Sequence, residues 1–205
     1  MDFRWSLVQT AWFVMLIVQT TLVSVNRIDV HRRLGIFGAL LAVAVVGLSF
    51  ATMLGLPGHF KTGQLSIDAP FDLEAISAIF WNDLGSLLIF GILVATAISL
   101  RRRTETDKRL MLLASIRISG PAVVRIGMLP GSWLNPMFAP PIQVRFTAIV
   151  VGIVLPLSLV AYDFLVRRRL HPATLAGILL SLAITIASVA MATSQEGRAL
   201  VIALE

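Results

Sequence analysis

Six long apolar runs, separated by short polar segments, set the pattern of the chain. They cover residues 5–25, 34–56, 75–100, 110–130, 145–166 and 173–193. Each is long enough, as a helix, to cross a hydrocarbon core about 30 Å thick, which takes about 20 residues. The stretch LLAVAVVGLSF at 40–50 lacks the alternating polar face of a barrel strand, so helices are favoured over strands. The pattern predicts an all-α polytopic bundle of six transmembrane helices, forming a single membrane domain over residues 1–205.

Basic residues divide the connecting segments into two classes. Three, five and three of the 17 lysines and arginines follow the first, third and fifth runs respectively. The segments on the other side carry four, at Arg4, Lys61, Arg145 and Arg198. Because short cytoplasmic loops are enriched in Lys and Arg, the three basic turns are predicted to face the cytoplasm and both ends of the chain the outside.

Composition supports a membrane protein and excludes other classes. Of the 205 residues, 57% are hydrophobic and 14% charged, with a mean hydropathy of +0.88, which is too apolar for one soluble core. A net charge of +6 is too sparse for a nucleic-acid surface, so the expected partner is the lipid bilayer and not a nucleic acid. The chain contains no cysteine, which excludes disulfides, thiolate metal sites and covalently attached haem.

Three ionisable residues, Asp83, Arg117 and Arg125, fall in the interior of predicted spans, away from their ends. At about 1.5 Å per residue, Asp83 and Arg125 lie about 25 Å and 24 Å above the basic turn that joins spans three and four. They are predicted to form an intramembrane ion pair, which either fixes helix register or belongs to a substrate or proton site. Arg117 lies nearer the cytoplasmic end, where it can snorkel to the headgroups or meet Gln19 or Asp163.

Gly120 and Pro121 interrupt span four between its two arginines. Proline lacks an N–H and clashes with the carbonyl four residues earlier, so a kink is predicted there. A kink flanked by arginines can form a cavity for an anionic group. Asp83, Arg117, Pro121 and Arg125 are therefore the candidate binding residues.

Small and aromatic residues supply weaker structural signals. Small residues are expected where helices approach closely, here at Gly35, Gly38, Ala42 and Gly47 in span two. Tryptophans are expected to anchor helices at the membrane interface, here Trp5, Trp12 and Trp81. The tail, residues 194–205, is short and only weakly apolar, and no further span is predicted there.

The three basic turns also carry histidines and carboxylates, namely His31, Asp107, Asp163 and His171. Imidazole and carboxylate groups at one membrane level can bind a divalent metal or pass protons. No pair of them has a diagnostic metal-site spacing, and a hydrated charged surface is the favoured explanation. A metal site of these four residues is the weaker of the two site hypotheses.

Three stretches of this sequence, VHRRLGIFGALLAVAVVG, DKRLMLLAS and YDFLVRRRLHPAT, resemble a family of uncharacterised bacterial inner-membrane proteins. That family shows an HRRLG stretch, an HKRLMLLA stretch, and an Asp followed by His-Pro at the last turn. The resemblance implies a multi-pass protein of the bacterial inner membrane, without implying a reaction. Asp107 replaces the second motif's histidine here, and the family's preceding helix with its histidines is not found, which weakens any implied haem or metal binding.

Three functions remain open at this point. The first is a membrane bundle without catalytic machinery, acting as an accessory subunit or as a binder of lipid or another small ligand. The second is a small-solute or proton transporter that uses Asp83, Arg117 and Arg125. The third is a membrane redox protein of the cytochrome b561 type, which needs paired histidines inside helices. The three histidines fall at span ends or in loops, so no haem and no other cofactor is expected, and an enzyme is the less favoured reading.

Overall fold

The computed structural model describes residues 3–55, 73–120 and 150–204. Every regular element in these three stretches is a helix. In chain order they are α1 (Phe3–Ser24), α2 (Ile28–Leu54), α3 (Leu73–Ser99), α4 (Thr104–Ile118), a π-helical turn (Val150–Val154), α5 (Leu155–Arg167), α6 (Pro172–Thr193) and α7 (Gln195–Ala203).

Five of the described segments are long and apolar enough to cross a membrane. They are Leu7–Ser24, Asp29–Leu54, Ile76–Ser99, Val150–Arg167 and Pro172–Thr193. The prediction of an all-α protein with several helices of membrane-spanning length is thus confirmed. The predicted fourth span, 110–130, begins within α4, but its second half lies outside the described residues.

Hydroxyl side chains within these helices bond to their own backbone. Thr20, Thr52, Thr96 and Ser181 each donate to the carbonyl oxygen four residues earlier, at 2.5 to 2.8 Å. An unsatisfied hydroxyl is costly in hydrocarbon, and this local bond removes that cost without a partner on another helix.

The chain divides into two compact units, and the first comprises Met1–Leu87 with Thr185–Glu205. Here α1 and α2 pack against each other, joined by a short turn in which Asn26 adopts φ 60°, a left-handed conformation that asparagine tolerates well. Trp12 is 4% exposed, so its ring packs against protein instead of forming the predicted lipid anchor. Gly38 faces α1, because a Cβ built there would lie 3.9 Å from Met15 Cγ, an ordinary van der Waals contact.

The other two glycines of span two differ from expectation. A Cβ built at Gly35 or Gly47 would meet nothing within 4 Å in the structure, so neither marks a close helix approach. A small side chain permits close packing but does not require it, and the expectation was wrong at these two positions.

Residues 194–205, left without a predicted element, contain helix α7. Ser194 caps this helix, its hydroxyl accepting from Gly197 N at 3.0 Å. Val201, fully buried, packs in a cluster with Met53, Ile76 and Phe80. Trp81 lies beside this cluster and donates from Nε1 to the Gly197 carbonyl oxygen at 3.2 Å, so its indole N–H is used within the protein.

The second unit comprises Leu88–Ile184. Its core includes Ile89, Phe90 and Leu93 of α3 with Leu110 and Leu113 of α4, all nearly or completely buried. Gly177 of α6 lies against this core, since a Cβ built there would be 2.6 Å from Leu113 Cδ1. The expectation of one membrane domain over residues 1–205 stays a prediction.

Candidate functional site

The best-defined polar site lies in the second unit, where α5 ends and α6 begins. The helix α5 stops at Arg168, whose φ of 52° is left-handed, and α6 starts at Pro172. Proline suits a first helical position because its missing N–H would have no intrahelical partner there. The intervening turn brings the backbone of His171 back to Asp163, eight positions earlier.

Asp163 is completely buried and is held from three directions. Its Oδ1 accepts from Arg109 Nη2 of α4 at 2.6 Å. Its Oδ2 accepts from Thr174 Oγ1 at 2.7 Å and from the His171 backbone N–H at 3.1 Å. Arg109 is 4% exposed and Thr174 is buried, so the ion pair is shielded from solvent and both carboxylate oxygens are occupied. We call Glu105, Arg109, Asp163, His171 and Thr174 the Asp163 cluster.

Glu105 extends the cluster to the surface. Arg109 Nη1 donates to Glu105 Oε2 at 2.9 Å and to the Glu105 carbonyl oxygen at 3.1 Å. Arg167, at the end of α5, also pairs with this carboxylate, and Lys108 Nζ lies 3.9 Å from its other oxygen. The hydrogen bond from Arg109 lowers the pKa of Glu105 despite partial desolvation. Burial opposes the charge on Arg109, but the hydrogen bonds to Asp163 and Glu105 outweigh it and raise its pKa.

Chemically, the Asp163 cluster acts as a clamp between helices. A buried carboxylate with three donors is held as an anion in one orientation, and a buried guanidinium with two carboxylate partners is fixed in the same way. The ends of α4, α5 and α6 are thereby tied together. The Thr174 hydroxyl and both carboxylates are engaged in these hydrogen bonds and ion pairs.

The predicted metal residues have other contacts. Asp163 accepts the three bonds above, and His171 Nδ1 accepts from Ala173 N at 3.1 Å, capping the start of α6. Asp107 lies in the first turn of α4, and His31 belongs to the first unit. Within residues 3–55, 73–120 and 150–204, no group of three or more metal-ligating side chains is found. The metal site of His31, Asp107, Asp163 and His171 stays a prediction to which these contacts lend no support.

The candidate binding residues are only partly within the described chain. Asp83 is half-buried on α3 in the first unit, and Asn82 Nδ2 lies 3.4 Å from its Oδ1. Arg117 is half-buried on α4 in the second unit, with Nη1 4.0 Å from a Cβ built on Gly152 of the π-helical turn. Pro121 and Arg125 lie outside the described residues. The Asp83–Arg125 pair and the kink therefore stay predictions.

Sequence reasoning did not single out Arg109. It placed this arginine in a basic turn and named Asp163 as one of three alternatives for Arg117. The structure pairs Asp163 with Arg109. Two signals were present: Glu105 and Arg109 are four residues apart on one helix, and Arg109 begins span four where Asp163 nears the end of span five. Charged residues at equal height on consecutive spans can therefore indicate an ion pair near the membrane interface as well as at mid-membrane.

Comparison with known proteins adds no relative to this picture. No protein-family model, curated protein or solved structure is found to match the chain. The resemblance to uncharacterised bacterial inner-membrane proteins accordingly stays a prediction.

Proposed function

We propose that this protein is a membrane helical bundle without catalytic machinery, which serves as an accessory subunit or binds lipid or another apolar ligand. The observation that carries the proposal is the state of the Asp163 cluster. Both oxygens of its buried carboxylate are taken by Arg109, Thr174 and the His171 amide, so the charges fix helix ends instead of facing a substrate.

Exposed apolar side chains along the spans support the same reading. Ile17, Leu40, Val43, Leu165 and Ile186 are 60 to 82% exposed in the isolated chain. Such large apolar surfaces mark contact with lipid or with another membrane protein. A bundle that exposes them on most of its spans needs a hydrocarbon environment.

The proposed arrangement has six spans in the inner membrane of a bacterium. The basic turns face the cytoplasm and both ends of the chain lie outside. The distribution of Lys and Arg supports the sidedness, and the resemblance of the three turn motifs supports the compartment.

Native mass spectrometry of protein purified from its own membranes in a mild detergent tests the proposed function. We expect a lipid, another apolar ligand, or a membrane subunit at fixed stoichiometry to stay bound as collision energy rises. The proposal would be contradicted if every adduct were released at the lowest activating energy, with no difference between protein purified in the mild detergent and in a harsher one.

A transporter is the second candidate, and one observation favours it. Arg117 Nη1 is near Gly152 in a π-helical turn, and such turns are frequent at functional sites. An arginine within an apolar helix is costly and often marks an ion or solute path.

Proton flux into proteoliposomes, followed with a trapped pH-sensitive dye, separates the two functions. Flux that Arg117→Leu abolishes would support transport, whereas wild-type flux equal to that of empty liposomes would exclude proton transport.

A further inference from the structure

Two arginine-rich turns of the second unit carry seven exposed basic side chains. We name them the arginine-rich surface; its members are Arg101, Arg102, Arg103, Lys108, Arg167, Arg168 and Arg169. The first turn joins α3 to α4, and the second follows α5.

Ion pairs hold these two turns together although they are far apart in sequence. Arg109 at the start of α4 bonds to Asp163 near the end of α5. Arg167 pairs with Glu105, which precedes it by 62 positions. Because both pairs join the same two helix ends, the arginines that flank them belong to one surface and not to two separate loops.

The carboxylates nearby leave most of this positive charge uncompensated. Residues 101–109 and 163–171 contain eight arginines and lysines against three carboxylates, a net charge of +5 with histidine neutral. Asp163 is buried against Arg109, and Glu105 is shared by Arg109, Arg167 and Lys108. Two of the three carboxylates therefore hold the turns in place.

The arginine-rich surface begins where candidate membrane spans end. The segment Ile76–Ser99 stops two residues before Arg101, and Val150–Arg167 ends within the surface itself. The left-handed backbone at Arg168, whose N–H bonds to the Phe164 carbonyl oxygen at 3.2 Å, ends α5 there. Side chains at the ends of spans lie at the level of lipid headgroups, within reach of their phosphates.

We propose that the arginine-rich surface binds the phosphates of anionic phospholipid headgroups. Guanidinium groups match phosphate oxygens with paired hydrogen bonds, and a cluster of basic residues directly beyond a span attracts anionic lipid. A soluble acidic partner would meet the same charge, but a surface that starts at the ends of spans is adjacent to headgroups permanently. This inference rests on the membrane location in the proposed function and adds a lipid class to it.

The test compares two paired substitutions in purified full-length protein. Arg168→Gln with Arg169→Gln removes two charges from the arginine-rich surface. Arg168→Lys with Arg169→Lys keeps both charges at the same positions and is the matched control. Each is titrated in detergent with phosphatidylglycerol, with cardiolipin and with phosphatidylcholine, and lipid-dependent melting temperature gives the apparent affinity.

We expect wild type and the control to prefer the anionic lipids. The glutamine variant should bind them about 25-fold more weakly, because each basic residue near a headgroup contributes roughly one kcal/mol, about fivefold in affinity. The preference of wild type for anionic lipid should weaken as the salt concentration is raised. This measurement needs no variant, so it tests the proposal even if the glutamine variant fails to fold. Equal losses in the two variants, or no wild-type preference for anionic lipid, would overturn it. Equal stabilisation by inorganic phosphate would overturn the assignment to lipid.

Membrane extraction separates this inference from the proposed function. Protein that stays in the membrane after alkaline washing but shows no lipid preference contradicts the inference alone. Protein that alkaline washing releases contradicts the proposed function as well.

Discussion

Arg109 links the buried carboxylate of the Asp163 cluster to the carboxylate at its surface. It bonds to Glu105 on its own helix and to Asp163 on another, and it is 4% exposed. Two carboxylates around one guanidinium keep that charge in a shielded position. Removing one of these three charges therefore takes an ion-pair partner from at least one of the others.

Replacement of Arg109 by leucine should destabilise the protein by about 3–5 kcal/mol, because it leaves Asp163 as an uncompensated buried charge. Arg109→Leu combined with Asp163→Leu should cost less than the sum of the two single changes. Unfolding in mild detergent measures all four proteins of the cycle, and Arg101→Gln, which removes an exposed arginine, is the control. Additive losses would mean that the two side chains do not stabilise each other.

The lowered pKa of Glu105 makes its contribution dependent on pH. A carboxyl whose pKa is lower in the folded state stabilises the fold at any pH above its ordinary pKa of 4.5. This stabilisation disappears as the pH falls through the pKa of the folded state. The gap in melting temperature between wild type and Glu105→Gln should therefore be constant from pH 7 to pH 5 and shrink below pH 4.5. A gap that stays unchanged at pH 3.5 would show that the charge of Glu105 contributes no stability.

At the scale of elements, helix α7 depends on one glycine and one valine. Gly197 lies so close to the end of α6 that a Cβ there would overlap the Met191 backbone carbonyl, and Val201 fills the cluster with Met53 and Phe80. Backbone atoms cannot move aside as a side-chain end can. The docking of α7 therefore requires the absence of a side chain at position 197.

Gly197→Ala should separate α7 from the rest of the first unit and lower stability by about 1.5–3 kcal/mol, the value of burying one valine. Hydrogen exchange of residues 195–203 should become fast while that of α3 stays slow. Gly47→Ala, where an added Cβ meets nothing within 4 Å, is the matched control and should be neutral or slightly stabilising. Unchanged protection of α7 in Gly197→Ala would contradict the packing described.

The elements also show where sequence reasoning succeeds and where it ends. Hydropathy located α3 and α6 closely, with 75–100 and 173–193 predicted against Leu73–Ser99 and Pro172–Thr193 observed. These boundaries follow from the solvent, because an apolar helix must match the thickness of the hydrocarbon. Helix α7 was missed because its apolar run, residues 199–204, is too short to span a membrane and its packing depends on a tertiary contact of Val201. The ion pair of Asp163 with Arg109 was missed for a similar reason, since Arg109 lies 54 positions away.

For the whole molecule, the main expectation concerns sidedness. The chain has no cysteine, so single cysteines introduced by mutation report one position each. With the proposed topology, a membrane-impermeant thiol reagent added to intact cells should label Gly63→Cys and Gln195→Cys but not Thr104→Cys or Arg169→Cys. All four should react after the membrane is permeabilised. Labelling of Thr104→Cys in intact cells would reverse the proposed orientation.

Absence of haem is a second expectation for the whole molecule. Bis-histidine ligation needs two imidazoles facing one another inside the membrane. His31 lies in the first turn of α2, and His171 precedes α6 with Nδ1 bonded to the backbone. The absorbance spectrum of the purified protein should show no Soret band. A Soret band with stoichiometric iron would restore the redox function.

The bonding partners of Asp163 become available at different times as the chain is synthesised. Thr174 and the His171 amide come 11 and 8 positions after Asp163, so the hairpin of α5 and α6 brings its own partners for this carboxylate. Arg109 leaves the ribosome 54 positions before Asp163 and must be accommodated before its buried partner exists. Glu105, four positions earlier in the same helix, is already present at that moment. Glu105, although it lies at the surface of the finished protein, is thus the first carboxylate that can pair with Arg109 during synthesis. Replacing Glu105 with glutamine should slow membrane insertion more than it lowers the free energy of unfolding.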